Sequence, residues 1–376
     1  MCHAPWAVKK EHDTKGFGGR FGAGLPRISD GSFLFLQHMI SKMKPSNNGT
    51  RLGIVFNGSP LFSGGAGSGE SEIRKWIIEN DMLEAIIAMP DQLFYNTGIF
   101  TYIWILTNRK PVKRKGKIQV VNAVSFFAKM SRSLGNKRNE ISDKQIDEIT
   151  GIYGDFIEGE FCRIFDNEDF GYNRITVERP LRLNFQTSEE SIALLENEKV
   201  FQNLSKPKKK GKAGLKQKEE GEKLQQDILA MLKGMDGSVI YKNREKFEKA
   251  LKEHCKKYGL ALPAPIQKAV LNALSEQDET ADICLDKNGN PEPDTSLRDN
   301  ENVPLKQDIR EYFEREVLPH APDAWIDESK TVKGYEINIT KYFYKYKPLR
   351  SLEEIRTDIL ELELQTQGLM NEVVEI

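Results

Sequence analysis

The sequence predicts an α/β sheet domain followed by a mainly helical C-terminal region. Within residues 31–108, helix-like stretches alternate with apolar runs of four to seven residues that are rich in Ile, Val, Phe and Tyr. Such an alternation indicates a sheet that is buried on both faces. From residue 189 onward the pattern changes to helical stretches that Gly, Pro and Lys interrupt.

The sheet domain is expected to contain these elements in order. Ser32 can cap a buried helix that ends at Ile40. Strands are predicted at residues 51–56, 83–89, 100–106 and 117–122, and helices at 71–80 and at 141–152, the latter capped by Ser142 or Asp143. Residues 161–165 and 172–179 are predicted to pair as a hairpin.

In the helical region a Lys- and Gly-rich linker is expected at residues 205–218. Helices are predicted at residues 220–233, 244–258, 264–275 and 303–317, and a short strand at 335–339. The last helix begins at Ser351, with Glu354 as a capping box. Its apolar residues recur at alternating spacings of three and four, at Leu352, Ile355, Ile359, Leu362, Leu369 and Val373. This seam predicts a partner helix, in another protein or in this chain.

Composition excludes several classes of protein. The 376 residues, 39% hydrophobic and 30% charged, are enough for two or three domains with a sizeable core. No apolar run is long enough to span a bilayer and no secretory pattern is present, so a cytoplasmic location without membrane contact is expected. Four cysteines without C-x-x-C spacing predict no zinc site and no disulfide framework.

Two basic clusters could contact phosphates, although the net charge is only −1. The first, residues 110–117, follows the last core strand and contains Lys113, Arg114 and Lys115; the second covers residues 206–212. Arg20 lies in a glycine-rich segment at residues 16–24 and is a further candidate. Phosphate contact is one interpretation of these residues. Solvated loops, a flexible linker and an unstructured terminus are the alternatives.

Three stretches carry a family resemblance. They are the helix Phe33-Leu-Phe-Leu-Gln-His-Met-Ile40, the run Gly53-Ile-Val-Phe-Asn-Gly-Ser-Pro-Leu-Phe62 with Ile73-Arg74 after a glycine loop, and the loop Met89-Pro-Asp-Gln-Leu-Phe-Tyr-Asn-Thr-Gly98 before Thr101-Tyr-Ile-Trp-Ile-Leu-Thr-Asn108. In order, spacing and local chemistry they resemble the modification subunit of type I restriction-modification systems. That family consists of S-adenosylmethionine-dependent adenine-N6 DNA methyltransferases.

Two signatures of that family are absent from the sequence. One is the glycine turn that holds the cofactor, and the other is the Asn/Asp-Pro-Pro-Tyr/Phe tetrapeptide that holds the adenine amino group; no Pro-Pro dipeptide occurs. No catalytic residue can therefore be assigned. We expect the C-terminal part of a class I (Rossmann-like) methyltransferase sheet, from a truncated or split subunit. The expected divisions are an irregular segment (1–30), the sheet domain (31–185) and the helical region (186–376), which ends in a coiled-coil-like helix (351–376).

The resemblance also implies roles for residues and partners. Phe94 matches the loop aromatic that stacks on the extruded adenine, and Phe35 lies near the cofactor adenine, where a plain core aromatic is the alternative. The cofactor of the complete enzyme would be S-adenosylmethionine. The partners would be double-stranded DNA, a DNA-specificity subunit, a restriction subunit and a second modification subunit.

Two hypotheses for the chain remain open. In the first, it is one piece of an adenine methyltransferase and is inactive without a polypeptide that supplies the missing signatures. In the second, it is a non-catalytic assembly module that binds a specificity subunit through its C-terminal helix. Because the strand at residues 51–56 would normally pair with the strand that ends at the tetrapeptide, we expect an unpaired sheet edge there.

Overall fold

The structure is a computed structural model, and it describes residues 19–47, 49–207, 211–344 and 348–374. The chain folds into two compact units. The first comprises Met1–Gly171 and Gly334–Ile376, and the second Tyr172–Lys333. The boundaries expected from the sequence, at residues 30 and 185, do not coincide with these limits. The expectations for residues 1–18, for part of the 206–212 cluster and for Leu369 and Val373 concern positions outside the described residues or side chains.

The elements have the following bounds. The strands are β1 (Arg51–Phe56), β2 (Leu83–Met89), β3 (Thr101–Thr107), β4 (Lys117–Asn122), β5 (Ala128–Leu134), β6 (Lys137–Glu140), β7 (Cys162–Asp166), β8 (Gly171–Glu178), β9 (Leu183–Phe185), β10 (Ser275–Gln277), β11 (Asp299–Pro304), β12 (Trp325–Ile326) and β13 (Val332–Tyr335). The helices are α1 (Ser32–Ile40), α2 (Ser59–Phe62), α3 (Gly69–Glu79), α4 (Asp143–Asp155), α5 (Glu189–Asn197), α6 (Lys199–Gln202), α7 (Lys212–Lys233), α8 (Arg244–Lys257), α9 (Ala264–Ala273), α10 (Ile309–Glu316), α11 (Ile339–Phe343) and α12 (Leu352–Val374).

The first unit is built on a mixed sheet with the strand order β1-β3-β2-β4-β7. β3 runs antiparallel to both of its neighbours, β2 and β4 are parallel, and β7 is antiparallel to β4. β1, β2 and β4 therefore point in one direction, and their carboxyl ends lie at one edge of the sheet. The predicted α/β sheet is confirmed, with strand bounds within one residue of those expected for β1 to β4.

The edge of β1 is open, as the sequence predicted. Within the described ranges β1 pairs with β3 alone, over six residues from Arg51 to Phe56. The expected hairpin of residues 161–165 and 172–179 is wrong. β7 pairs with β4 in the first unit, whereas β8 pairs with β11 and β12 in a different sheet. A short 3-10 helix, Asn167–Phe170, separates the two strands and prevents a tight turn.

Aromatic packing fixes α1 against the sheet. The rings of Phe33, Phe56 and Trp104 contact one another edge to face, with centroids 5.6–6.2 Å apart. All three side chains are buried, and Trp104 is completely inaccessible. Edge-to-face pairs add to the free energy gained from burial. This cluster therefore ties α1 to β1 and β3.

Arg74 on α3 holds the returning C-terminal segment against the first unit. Its fully buried guanidinium donates from Nε to the Tyr335 carbonyl (2.6 Å) and from its terminal nitrogens to the carbonyls of Ser63 (2.7 Å) and Gly64 (2.8 Å). The Ser71 hydroxyl also accepts a bond from the Tyr335 amide (3.1 Å). Since a buried guanidinium is stable only when its donors are satisfied, these carbonyls and Arg74 depend on each other.

The second unit combines a small sheet with a helical core. β8 lies between β11 and β12 and is antiparallel to both. The buried Glu178 at its end accepts from Arg298 (2.8 Å) and Lys330 (2.9 Å). The helical core packs around Phe185 and Phe247, whose rings stack with centroids 4.9 Å apart.

Several expectations for this region need correction. The expected linker at residues 205–218 is partly helical, because α7 begins at Lys212. The expected helix at residues 303–317 is shorter, since residues 299–304 form β11 along β8. The expected strand at residues 335–339 is displaced to β13, and α11 begins at Ile339. For β11, pairing with the distant strand β8 overrides the local helical pattern.

A membrane-spanning helix is not found in the described parts of the chain: none of the helices there is both long and apolar enough to cross a bilayer.

Replacing Arg74 with methionine is expected to lower the free energy of unfolding by about 3–5 kcal/mol, because buried carbonyls lose their charged donor. Lys75→Met on the same helix is the matched control; Lys75 makes only a partly exposed contact with Glu72 (3.6 Å) and should change stability by no more than about 0.5 kcal/mol. Urea titrations of the three proteins measure both changes. Equal midpoints for Arg74→Met and Lys75→Met would contradict the role of Arg74.

Candidate functional site

The loops that follow β1 and β2 lie at the carboxyl edge of the sheet. Residues 57–60 follow β1, and residues 90–98 follow β2 at the same edge, where β3 begins. In open α/β sheets, sites form beyond the carboxyl ends of the strands. The topology therefore places the loop that contains Phe94 where a ligand site is expected.

The loop between β2 and β3 exposes a group of aromatic and apolar side chains. The exposed fractions are 40% for Phe94, 63% for Tyr95, 51% for Ile99 and 45% for Phe100. The loop is ordered locally by a bridge between Phe94 and Thr97 and by a left-handed residue, Gln92, with φ of 54°. Phe94 is therefore a partly exposed aromatic side chain on a structured loop, where a planar group could contact it.

A β-hairpin that the sequence analysis missed braces this loop. β5 and β6 pair with each other, and main-chain amides of Asn136 and Arg138 donate to the carbonyls of Tyr95 (3.0 Å) and Gln92 (3.0 Å). The fully buried Asn139 donates its side-chain amide to the carbonyl (2.9 Å) and the carboxylate (3.0 Å) of Asp91. Hydrogen bonds from three residues of the hairpin therefore hold the loop at Asp91, Gln92 and Tyr95.

The feature of the sequence that indicates this hairpin is its turn. Gly135-Asn136 separates two short polar strands, and Gly-Asn is a known two-residue hairpin turn. Gly135 has a φ of +64°, and a Cβ at this position would lie 2.6 Å from the Tyr95 carbonyl oxygen. Only glycine fits this approach. The strands were missed because they lack an apolar face.

Phe35, the expected cofactor contact, lines a shallow cleft of about 430 Å³ beside β1. Its ring is 42% exposed, whereas its neighbours Leu34 and Leu36 on α1 are buried. Asp30 lies in the same cleft and accepts hydrogen bonds from the Ser32 hydroxyl (2.6 Å) and the Ser59 hydroxyl (2.8 Å). Partial burial acts to raise the pKa of Asp30, but these hydrogen bonds outweigh it and hold that pKa below its usual range. Phe35 is more exposed than a core aromatic, and its contact with the cofactor stays a prediction.

A second cleft, of about 590 Å³, opens beyond the ends of β2 and β4. Tyr102, Phe161 and Tyr342 contribute aromatic walls. Burial, with help from nearby carboxylates, raises the pKa of Tyr342 to about 12, so its hydroxyl is neutral at pH 7. Phe94 and Phe35 do not line this cleft.

The basic run at residues 110–117 is largely committed to structural ion pairs. Lys110 is buried and donates to Asp81 (2.6 Å), while Lys117 pairs with Asp166 (3.0 Å). Lys113 and Lys115 are exposed, although Lys113 also reaches the Gly154 carbonyl (3.3 Å). Of the predicted phosphate contacts in this run, Lys113 and Lys115 are exposed. The run follows β3 and precedes β4, so it lies at the edge of the sheet opposite the Phe94 loop.

The expected phosphate contact of Arg114 needs correction, because the guanidinium of this residue is buried. It lies 3.3 Å from the buried Glu84 carboxylate, and Tyr153 donates its hydroxyl to the same carboxylate (2.9 Å). The rings of Tyr153 and Phe156 approach the guanidinium at 4.7 and 4.3 Å. Burial and the bond to Glu84 raise the pKa of Tyr153 to about 12. This environment argues against the expected phosphate contact of Arg114.

Arg20 belongs to the glycine-rich segment, of which residues 19–24 are described. Arg20 is half-buried, with its guanidinium carbon 5.9 Å from the centroid of the buried Phe21 ring. Arg27 donates from its main chain (3.0 Å) and from Nε (2.9 Å) to Glu70 at the start of α3. The structure therefore gives Arg27 a structural partner, and the phosphate contact of Arg20 stays a prediction.

The apolar seam of α12 is exposed along its described part. Leu352, Ile355, Ile359 and Leu362 have exposed fractions of 85%, 40%, 59% and 60%. Ser351 and Glu354 make the predicted capping box, with reciprocal bonds of 3.2 and 2.9 Å. The helix start is confirmed, and the partner of the seam stays a prediction.

Replacing Asp81 with asparagine is expected to lower the free energy of unfolding by about 2 kcal/mol at pH 7, because the buried Lys110 loses its charged partner. Asparagine tolerates the left-handed backbone of Asp81, which has a φ of 55°. Urea titrations at pH 7 measure the loss, with Lys113→Gln as a control that should change stability by no more than about 0.5 kcal/mol.

Wild type and Asp81→Asn also test how the free energy of unfolding depends on pH. Burial acts to raise the pKa of Asp81, yet hydrogen bonds from Lys110, Asn167 and the Gly116 amide lower it overall. A carboxylate whose pKa is lowered on folding stabilises the protein above its unfolded pKa, about 3.9, and this contribution is lost as the pH falls through the folded pKa. The difference between wild type and Asp81→Asn should therefore shrink at pH 3. An undiminished difference there would contradict this assignment.

Comparison with known proteins identifies relatives of the chain. The family described as N-6 DNA Methylase matches residues 1–190. Among curated proteins, the type I restriction enzyme MjaVII methylase subunit of Methanocaldococcus jannaschii is 35% identical over 161 residues, which are 42% of this chain and 27% of that protein. The HindI methylase subunit of Haemophilus influenzae is 39% identical over 104 residues, 28% of this chain and 22% of that protein. The matched part of this chain thus spans about a quarter of these relatives.

Solved structures give related matches. The type I restriction-modification methyltransferase subunit from Streptococcus thermophilus is 26% identical, with a TM-score of 0.38 over 45% of this chain and 33% of that one. The family match covers 190 of the 376 residues, half of the chain. The chain therefore belongs to the N-6 DNA methylase family, and its relatives are methylase subunits of type I restriction enzymes.

Proposed function

We propose that the chain forms the C-terminal part of a type I modification subunit and takes part in methyl transfer from S-adenosylmethionine to adenine N6 in DNA. The observation that carries this proposal is the exposed Phe94 ring on a braced loop at the carboxyl edge of the sheet. An enzyme that acts on the exocyclic amine of a base must take that base out of the duplex. A free aromatic face compensates for part of the lost stacking, by about 1–3 kcal/mol per base.

The described residues suit only one part of S-adenosylmethionine. The exposed ring of Phe35 with Ile54 and Val55 supplies one apolar wall of a cleft, which suits an adenine ring. When bound, S-adenosylmethionine supplies the methyl group. The sequence contains neither the glycine turn nor the tetrapeptide, and we expect the groups that hold the rest of the cofactor and the target amine to lie in another polypeptide segment.

The open edge of β1 is where such a segment would join. A strand edge with unpaired amides and carbonyls favours association with a further strand. Val55 near the end of β1 is 51% exposed, and Phe35 beside it is 42% exposed. A strand added parallel to β1 would carry its carboxyl end to the same edge as Phe94, and this is the position that the tetrapeptide occupies in the family pattern.

Exposed residues of the first unit suggest where DNA and a DNA-specificity subunit would bind. We expect the exposed Lys113 and Lys115 to contact DNA phosphates, and the exposed seam of α12 to bind helices of a DNA-specificity subunit. Assembly with a second modification subunit and a restriction subunit would complete the system.

A non-catalytic assembly module is the second candidate, and the exposed seam of α12 favours it. The two candidates differ at Phe94. A module that only binds a specificity subunit has no need of the Phe94 ring, whereas the methyltransferase requires it.

Calorimetric titration of S-adenosylmethionine into the purified chain is expected to give no heat of binding, because Phe35 and its neighbours form only one wall of the site. Addition of a polypeptide that carries the missing glycine turn and tetrapeptide should restore binding. Micromolar binding to the chain alone would contradict the proposed division of the cofactor site.

In the assembled enzyme, Phe94→Ala should reduce kcat/KM for methyl transfer by about 5- to 150-fold, which corresponds to the loss of one stacked base. Phe94→Trp keeps an aromatic face and should retain most of the activity. Leu285→Ala shortens another exposed apolar side chain, in the second unit, and is the control. Full activity of Phe94→Ala would exclude the stacking role and favour the assembly module.

A further inference from the structure

The braced hairpin carries a concentration of positive charge that the sequence analysis did not identify. We call residues 128–140 the basic hairpin. It contains four cations, Lys129, Arg132, Lys137 and Arg138, and one carboxylate, Glu140, which gives a net charge of +3 within thirteen residues. The whole chain has a net charge of −1, so this charge is a local property.

The cations of the basic hairpin are available to a ligand. Lys129, Arg132 and Arg138 are exposed, and in the described parts of the chain none of the three forms an ion pair with a carboxylate. Lys129 lies 5.2 Å from the centroid of the Phe127 ring, a contact that leaves its charge unneutralised. The run at residues 110–117 differs, because three of its cations are paired with acidic side chains.

The basic hairpin is attached directly to the loop of Phe94. The carbonyls of Gln92 and Tyr95, on either side of Phe94, both accept main-chain bonds from the hairpin. Lys137 lies 5.4 Å from the centroid of the Tyr95 ring. A ligand that holds the hairpin therefore also fixes the position of the Phe94 ring.

We propose that the basic hairpin binds the sugar-phosphate backbone of duplex DNA next to the extruded base. The proposal rests on the proposed function and adds the element that positions the base-stacking loop on DNA. Long flexible cations without acidic partners are suited to phosphates, which fix the register of a protein on DNA without reading its sequence. The neighbouring exposed aromatic rings favour nucleic acid over an acidic protein surface, because they offer stacking faces beside the charges.

The salt dependence of DNA binding tests this proposal. Anisotropy of a dye-labelled 30-base-pair duplex would be titrated with the full chain at several salt concentrations. The variant K129Q/R132Q/R138Q should reduce the slope of log K against log salt by about 3, since each lost phosphate contact removes about 0.9. K246Q/K249Q/K252Q removes the same charge from exposed positions of α8 in the second unit and should leave the slope nearly unchanged.

A charge-retaining variant, K129R/R132K/R138K, separates charge from shape and should keep the wild-type slope. Equal slopes for the two glutamine variants, or no salt-dependent binding by the wild-type chain, would overturn the proposal for the hairpin. Methyl transfer by the assembled enzyme is measured separately. If the wild-type enzyme methylates DNA and the hairpin variant does so with unchanged KM and salt dependence, the hairpin proposal fails while the proposed function stands. If the wild-type assembly transfers no methyl group, the proposed function itself fails.

Discussion

The antiparallel insertion of β3 between the parallel strands β1 and β2 is the constraint on which the first unit depends. Because β3 enters the sheet at the edge where β2 ends, the connecting residues must turn back there, and this places Phe94 at the carboxyl edge. The same insertion leaves β1 at the margin of the described sheet, with one edge open. The buried Trp104 on β3, packed against Phe33 and Phe56, keeps this arrangement in place.

The Lys and Arg residues of this unit fall into two groups: some are buried in ion pairs, and others are exposed at the surface. Lys110 and Arg114 are buried beside Asp81 and Glu84, where breaking either pair would leave a charge without a partner. These cations stabilise the sheet and its flanking helix, and they are not available to DNA. The exposed cations of the basic hairpin lie next to the loop that needs to be positioned. Local density of Lys and Arg in the sequence is therefore a poor guide to phosphate contact without knowledge of nearby carboxylates.

Much of the sheet could be predicted from the sequence, since each of β1 to β4 contains an apolar run. β2 is buried along almost its whole length, whereas every second residue of β1 is exposed at the margin of the sheet. The Phe94 loop could also be predicted, because its flanking motifs are local. The ion pairs could not, as Asp81 and Lys110 are 29 residues apart and Arg114 and Glu84 are 30 residues apart. Strands β5, β6 and β11 have polar sequences, and only their pairing partners define them. The division into units escaped prediction because β8 and the C-terminal segment meet partners far along the chain.

Hydrogen exchange along β1 measures directly whether a further polypeptide strand pairs with the open edge of the sheet. The exchange rates of the backbone amides of residues 51–56 would be measured in the chain alone and after addition of a polypeptide that carries the missing cofactor and tetrapeptide motifs. The proposed pairing predicts fast exchange for the amides on the open edge of β1 in the chain alone and strong protection in the complex. A stable complex that leaves these amides unprotected, with protection confined to α12, would contradict it and support the assembly module.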